Sequence, residues 1–140
     1  MVYVISGPKG SGKTQKLVTL ANEKVKSSDG NVVLIKKSHR HTDSVDFNVR
    51  AICMDDYAQI ATSDEFIGFL YGMIAGNHDI ESVFIDSLLK QADITPDNLS
   101  VFLDKLSQIS SENEIEFYTS IGLEKNDLPA LDPSLFVMLN

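Results

Sequence analysis

The segment Gly7-Pro8-Lys9-Gly10-Ser11-Gly12-Lys13-Thr14 sets glycines, a lysine and a threonine at the spacing G-x-x-x-x-G-K-[ST]. Each residue type answers a chemical need. Gly7, Gly10 and Gly12 accept backbone angles and close approaches that a Cβ would forbid. Successive N–H groups can then turn inward toward phosphate oxygens, and a helix opening near Lys13 adds the positive end of its dipole. The Lys13 ammonium suits the β- and γ-phosphates of a nucleotide, and the Thr14 hydroxyl suits a Mg²⁺ ion that bridges them. All eight residues are therefore candidate nucleotide contacts, and Thr14 is also a candidate metal ligand.

A loop of this kind needs a strand before it and a helix after it, and the flanking residues provide both. Val2–Ser6 is a short β-branched, apolar run that ends in glycine, as a buried strand does. Leu17, Val18, Leu20, Ala21 and Val25 recur at helical spacing until Ser27-Ser28-Asp29-Gly30 stops the helix. Asn31–Lys37 reads as a second strand, which completes a strand–helix–strand unit with parallel strands. Further strands are expected over Val49–Met54, Ser82–Asp86 and Glu114–Ile121. One intervening helix is capped by Ser63-Asp64-Glu65, and a second begins at Thr95-Pro96 with the core face Leu99, Phe102, Leu103, Leu106 and Ile109. The tail from Leu123 reads as a helical turn or an edge segment packed on the sheet. The alternation predicts an α/β fold: a three-layer α/β/α sandwich with a mostly parallel, five-stranded sheet, spanning residues 1–140 as one domain.

Composition narrows the function classes. The chain has 140 residues, 43% of them hydrophobic, and lacks any run long and apolar enough for a membrane span. Its net charge of −8 is unevenly spread. Residues 1–50 hold nine Lys/Arg against four Asp/Glu, and residues 51–140 hold three against sixteen. An acidic body argues against nonspecific nucleic-acid binding, while the basic third carries the glycine loop, where a triphosphate needs positive potential. The single cysteine, Cys53, allows no internal disulfide, leaves too few thiolates for a structural zinc site, and is expected in the core. With no basic leader or cleavage site at the start, these features together point to the cytoplasm.

The eight-residue segment resembles the Walker A motif of P-loop NTPases, and Ser82-Val83-Phe84-Ile85-Asp86 resembles the matching Walker B strand. The resemblance implies that Asp86 supports the Mg²⁺ ion. Ala51-Ile52-Cys53-Met54-Asp55 has the same form, but Asp86 leaves room for the usual strand–helix unit between the two motifs. Many ATP-hydrolysing members place a glutamate after the Walker B aspartate. Here Ser87 stands there, and a serine hydroxyl is a poor base at neutral pH. No N-K-x-D segment is present, which favours ATP over GTP. No residue is assigned a catalytic role.

The first forty residues also resemble thymidine kinases with a glycine-proline P-loop, through the loop, the amphipathic helix and the strand Val33-Leu34-Ile35-Lys36. Those enzymes carry Asp-Glu at Walker B and a multi-cysteine zinc lasso, and this chain has neither. It is similar as well to short ATP-binding P-loop proteins, but lacks the length, arginines and second domain of a pilus motor. Small-molecule kinases of this fold need lid arginines, and only Arg40 and Arg50 exist. The cluster Lys36-Lys37-Ser38-His39-Arg40-His41 reads either as a contact for a second phosphate-bearing substrate or as a solvated loop. His39, His41 and Asp43 are thin support for a metal site on one flexible loop. Ser120, at a strand end, is a candidate γ-phosphate sensor or an ordinary strand-end serine.

The expected function is that of a Mg-ATP-binding P-loop protein, a slow or partner-stimulated ATPase or switch. A non-catalytic nucleotide-binding regulatory module and a nucleoside-like small-molecule kinase are the alternatives. The expected partners are a nucleoside triphosphate and a protein that stimulates turnover, with no nucleic acid and no membrane.

Overall fold

The computed structural model of the chain describes residues 1–40 and 44–140. Its strands are β1 (Val2–Ser6), β2 (Asn31–Lys36), β3 (Arg50–Cys53), β4 (Ile80–Ile85), β5 (Glu116–Ile121) and β6 (Phe136–Met138). Its helices are α1 (Lys13–Ser27), α2 (Ser63–Gly76) and α3 (Leu99–Asn113). Among the described residues the strands form one sheet of six in the order β3-β2-β4-β5-β1-β6, and every pairing is parallel.

The four central strands, β1, β2, β4 and β5, are rich in β-branched and aromatic residues and are buried on both faces, which a parallel sheet covered by helices requires. One face carries Ile5, Val32, Leu34 and Phe84 against Leu17, Val18 and Ala21 of α1. On the other face Val4, Val33, Ile35, Val83, Ile85 and Phe117 meet α2 and α3. Helices therefore lie on both sides of the sheet. On the α1 face the rings of Tyr3, Tyr118 and Phe84 stack across β1, β5 and β4 with centroids 4.5 and 4.3 Å apart. None of the helices among the described residues is long and apolar enough to cross a membrane.

α2 begins at Ser63, but its cap is Thr62, one residue before the expected Ser63-Asp64-Glu65. The Thr62 hydroxyl accepts from Glu65 N at 3.1 Å and the Glu65 carboxylate accepts from Thr62 N at 2.9 Å, a reciprocal capping box. Phe66, Leu70 and Ile74 then repeat every four residues and bury one stripe.

Two expectations need correction. The sheet has six strands, all parallel, where five in a mostly parallel sheet are expected. The extra strand, β6, is three residues long, too short for period-2 alternation to register. It forms because β1 offers a free edge: Val2 N donates to Leu135 O at 3.0 Å and Leu139 N to Val4 O at 2.9 Å. The tail holds both of its readings: a 3₁₀ turn at Lys125–Asp127 and, beyond it, the edge strand β6. The last helix starts at Leu99 rather than at Thr95-Pro96. Asn98 Oδ1 accepts from Thr95 N at 2.8 Å and Asn98 N donates to Thr95 O at 3.2 Å, so these four residues close a turn instead of a first helical turn.

The strand order matters most for the site. β5 lies between β1 and β4, so the carboxyl ends of these three strands adjoin at one edge of the sheet. The helix following β1 covers one face and the helix following β4 covers the other, and that arrangement opens a crevice at the carboxyl ends.

Candidate functional site

β1 ends at Ser6, and the chain turns through residues 7–12 before α1 begins at Lys13. Gly7, Gly10 and Gly12 take φ values of +152°, +83° and +80°. A Cβ at Gly7 would come within 2.8 Å of Ser11 Oγ, so the loop closes this tightly only without a side chain there. Gly12 precedes α1 in the left-handed region, and the helix starts with no side-chain cap and no acidic residue in its first turn. Its unpaired first-turn N–H groups and its dipole therefore favour an anion at the loop.

Within the loop three donors converge on one acceptor. Ser11 Oγ, Lys13 Nζ and Ser11 N all donate to the Pro8 carbonyl, at 2.7, 2.8 and 3.2 Å. An ammonium on a neutral carbonyl is readily exchanged for an anion, because charge-assisted hydrogen bonds are about twice as strong. Burial lowers the Lys13 pKa from its ordinary value, Asp86 pulls it back up, and the like charge of Lys90 lowers it further.

Asp86 sits one residue beyond β4 and is buried. Thr14 Oγ1 lies 3.0 and 3.2 Å from its two carboxylate oxygens, although 72 residues separate the two in sequence. Ser120 Oγ, from β5, donates to Asp86 Oδ1 at 2.9 Å and accepts from Ser87 N at 2.7 Å. Asp86 N donates to Ile35 O at 2.9 Å, and the buried Gln91 Nε2 donates to Asp86 O at 2.9 Å. The carboxylate is thus held from α1 and β5, and the backbone of Asp86 from β2 and Gln91. Ser87 takes a left-handed φ of 52°, an unfavourable angle for a non-glycine residue. Its N–H bond to Ser120 and the fully buried Leu88 hold the short 3₁₀ turn Leu88–Lys90 against the sheet edge.

Two cavities flank the loop and share Gly12 and Lys13. The larger, about 800 Å³, runs from Lys9 and Gly10 past Thr14 to Ser87, Leu89 and Lys90, and along α1 to Asn22. The smaller, about 480 Å³, includes Pro8, Lys16, Glu124 and Asn126. At its rim Asn140 Oδ1 accepts from Ser6 N at 3.2 Å and Asn140 Nδ2 donates to Ser6 O at 2.5 Å, tying the chain end to the start of the loop. Among the described residues lining the two cavities, Glu124 is the one carboxylate.

The structure therefore brings together Gly7 through Thr14, Asp86 and Ser120. Asp55 lies elsewhere: it follows the edge strand β3 and pairs with Lys37 at 2.9 Å, with both side chains about half exposed. In the basic cluster Lys36 is buried and its ammonium donates to Arg40 O, so that part is not a solvated loop. His41 and Asp43 lie outside the described residues. Lys90, Gln91 and Asn140 were not singled out by sequence. Lys90 could have been noticed as the first cation after Asp86, whereas the roles of Gln91 and Asn140 exist only through tertiary contacts.

Oxygen donors at this spacing fit a hard cation. Thr14 supplies a hydroxyl and Asp86 a carboxylate, and Mg²⁺ is commonly held by one or two such protein groups, with phosphates and waters completing its shell. No protein-family model matches the chain, and a search of curated proteins finds no match.

Proposed function

We propose that residues 7–14 bind ATP, that Thr14 and Asp86 hold the accompanying Mg²⁺, and that the protein is a slow or partner-stimulated ATPase or switch of the P-loop NTPase fold. One observation carries the reading: the hydroxyl that follows Lys13 meets a buried carboxylate at 3.0 Å, beside a glycine loop at a helix N-terminus. Chance would not ordinarily pair two residues 72 positions apart in this way. When bound, Mg²⁺ neutralises charge on the β- and γ-phosphates. The chain's own residues present backbone N–H groups and the Lys13 ammonium to the phosphates. Ser120 and Gln91 keep Asp86 and its strand end in place.

Slow turnover follows from what surrounds Asp86. Ser87 occupies the position after it, and among the described residues the one carboxylate lining the cavities, Glu124, belongs to the smaller of them. A base for water has to come from elsewhere, and a partner protein is the natural source. The absence of an N-K-x-D segment supports ATP over GTP. The cytoplasm remains the proposed compartment on compositional grounds.

Thermal melting with ATP, ADP and GTP, each with and without Mg²⁺, tests the reading. A ligand at a hundredfold excess over its Kd stabilises by about 2.7 kcal/mol, a readily measured shift. The expected result is a Mg²⁺-enhanced rise with ATP that Lys13→Ala abolishes. No rise with any nucleotide, or the same rise in Lys13→Ala, would overturn the proposal.

A further inference from the structure

We propose that His39, Cys53 and Asp56 form a site for a zinc-class divalent transition-metal ion at the carboxyl ends of β2 and β3. One donor atom from each residue lies within 4.8 Å of the other two. With metal–sulfur bonds near 2.3 Å and metal–nitrogen or metal–oxygen bonds near 2.0–2.2 Å, the ligand atoms of a tetrahedral zinc ion stand about 3.2–3.8 Å apart. The cluster needs only small side-chain rotations to reach that spacing.

The fold brings these donors together by identifiable means. A 3₁₀ turn, Met54–Asp56, follows Cys53 directly and closes with Tyr57 N donating to Met54 O at 3.0 Å. Cys53, the last residue of β3, immediately precedes this turn, and the turn brings the Asp56 carboxylate within 4.8 Å of its thiol. The loop leaving β2 is tied alongside: Asp55 N donates to Lys37 O at 3.0 Å, Lys37 pairs with Asp55 at 2.9 Å, and the Cys53 thiol donates to Lys37 O at 3.4 Å. These bonds hold His39 across from the turn, where its Nε2 lies 2.9 Å from Asp56 Oδ1.

The arrangement suits a borderline-soft cation. The soft donor, Cys53, is 9% exposed, whereas the His39 and Asp56 side chains are 69% and 50% exposed. An ion can thus enter from solvent between the imidazole and the carboxylate and reach the thiol beneath them, leaving a fourth position for water. On binding, the Cys53 S–H bond breaks, its proton goes to solvent, and the Sγ–metal bond forms. The ion takes the place of the hydrogen that joins His39 and Asp56; that proton exchanges through solvent and leaves the imidazole neutral, with its hydrogen on Nδ1. Thiolate and carboxylate together balance its two positive charges, and the neighbouring Lys37 ammonium is already paired with Asp55. The site uses none of residues 7–14 or Asp86, so it is independent of the nucleotide reading.

Cobalt(II) titration of the metal-stripped full chain, without nucleotide, tests the proposal. The expected result is a thiolate-to-cobalt charge-transfer band that saturates at one equivalent and disappears when Zn²⁺ is added. Cys53→Ser should abolish the band, and His39→Gln or Asp56→Asn should weaken cobalt binding by roughly tenfold or more. Because His39 and Asp56 are exposed, those two variants remain informative should Cys53→Ser fail to fold. No band in the wild-type chain, or a band of unchanged affinity in both His39→Gln and Asp56→Asn, would overturn the site.

Discussion

Ser120→Ala is the substitution that most directly tests whether Asp86 is held by a designed network. Ser120 is fully buried, and its hydroxyl has two bonds: it donates to Asp86 Oδ1 at 2.9 Å and accepts from Ser87 N at 2.7 Å. A hydrogen bond to a charged group contributes about 1.5–3 kcal/mol, and a buried N–H left without an acceptor costs about 1–3 kcal/mol. Thr14 still donates to Asp86, so the lower half of each range applies, and the sum is about 2.5–4 kcal/mol. Thr119→Val is the control. Thr119 is equally buried and one residue away on the opposite face of β5, but its hydroxyl makes a single neutral bond, to Ile85 O at 3.0 Å. That bond is worth about 1 kcal/mol, and valine preserves the volume. Urea denaturation of both variants, at unchanged m, should show Ser120→Ala as the more destabilised by at least about 1 kcal/mol. If it loses no more stability than Thr119→Val, the charged network does not hold Asp86, and the reasoning that ties β5 to the site fails.

Other substitutions probe the site and its frame. Lys90 lines the larger cavity near Thr14, so under the proposed ATP reading it faces the terminal phosphate; Lys90→Ala should then weaken ATP binding roughly tenfold while affecting ADP less, one charge-assisted bond being worth about 1.5 kcal/mol. Calorimetry with both nucleotides checks this, and equal losses would remove Lys90 from the terminal phosphate. Thr62→Ala deletes the capping-box acceptor of Glu65 N and should cost about 1 kcal/mol in urea denaturation. Burial pushes the Glu116 pKa up, but hydrogen bonds from Lys24 and Tyr3, with the Lys24 charge and Tyr118, outweigh it and leave the pKa below its ordinary value. A carboxylate depressed on folding adds stability above its unfolded pKa and loses it as pH falls through the folded one. The wild-type chain should therefore lose more stability than Glu116→Gln on acidification below about pH 4.5, by less than about 1 kcal/mol because the pair is partly exposed. Parallel urea midpoints for the two chains across that range would contradict the assignment.

Much of the frame was legible before any coordinates. The β-branched runs at 2–6, 31–37 and 82–86 announce buried strands, within two residues of the observed bounds, and the 3.6-residue recurrence from Leu17 announces the helix behind the loop. What escaped is physically understandable. β6 has three residues and exists because β1 had a free edge to pair with. The Thr95-Pro96 signal is a genuine N-terminus pattern, but the Asn98 side chain turned back to Thr95 N and used the same residues for a turn. The basic cluster after β2 reads as polar, yet Lys36 is buried with its ammonium on a backbone carbonyl.

The candidate site divides along the same line. Residues 7–14 could be recognised as a candidate phosphate loop from the chain alone, because that pattern lies in the spacing of its glycines, lysine and threonine along the chain. The choice between Asp55 and Asp86 could only be argued from sequence, since both end strands of the same form. Strand order separates them physically. β3 is an edge strand and leaves Asp55 beside Lys37, whereas β4 lies one strand from β1 and sets Asp86 3.0 Å from Thr14, with Ser120 of the intervening β5 against it. A carboxylate 72 residues from its partner acquires its role through sheet pairing, which depends on the packing of the whole chain.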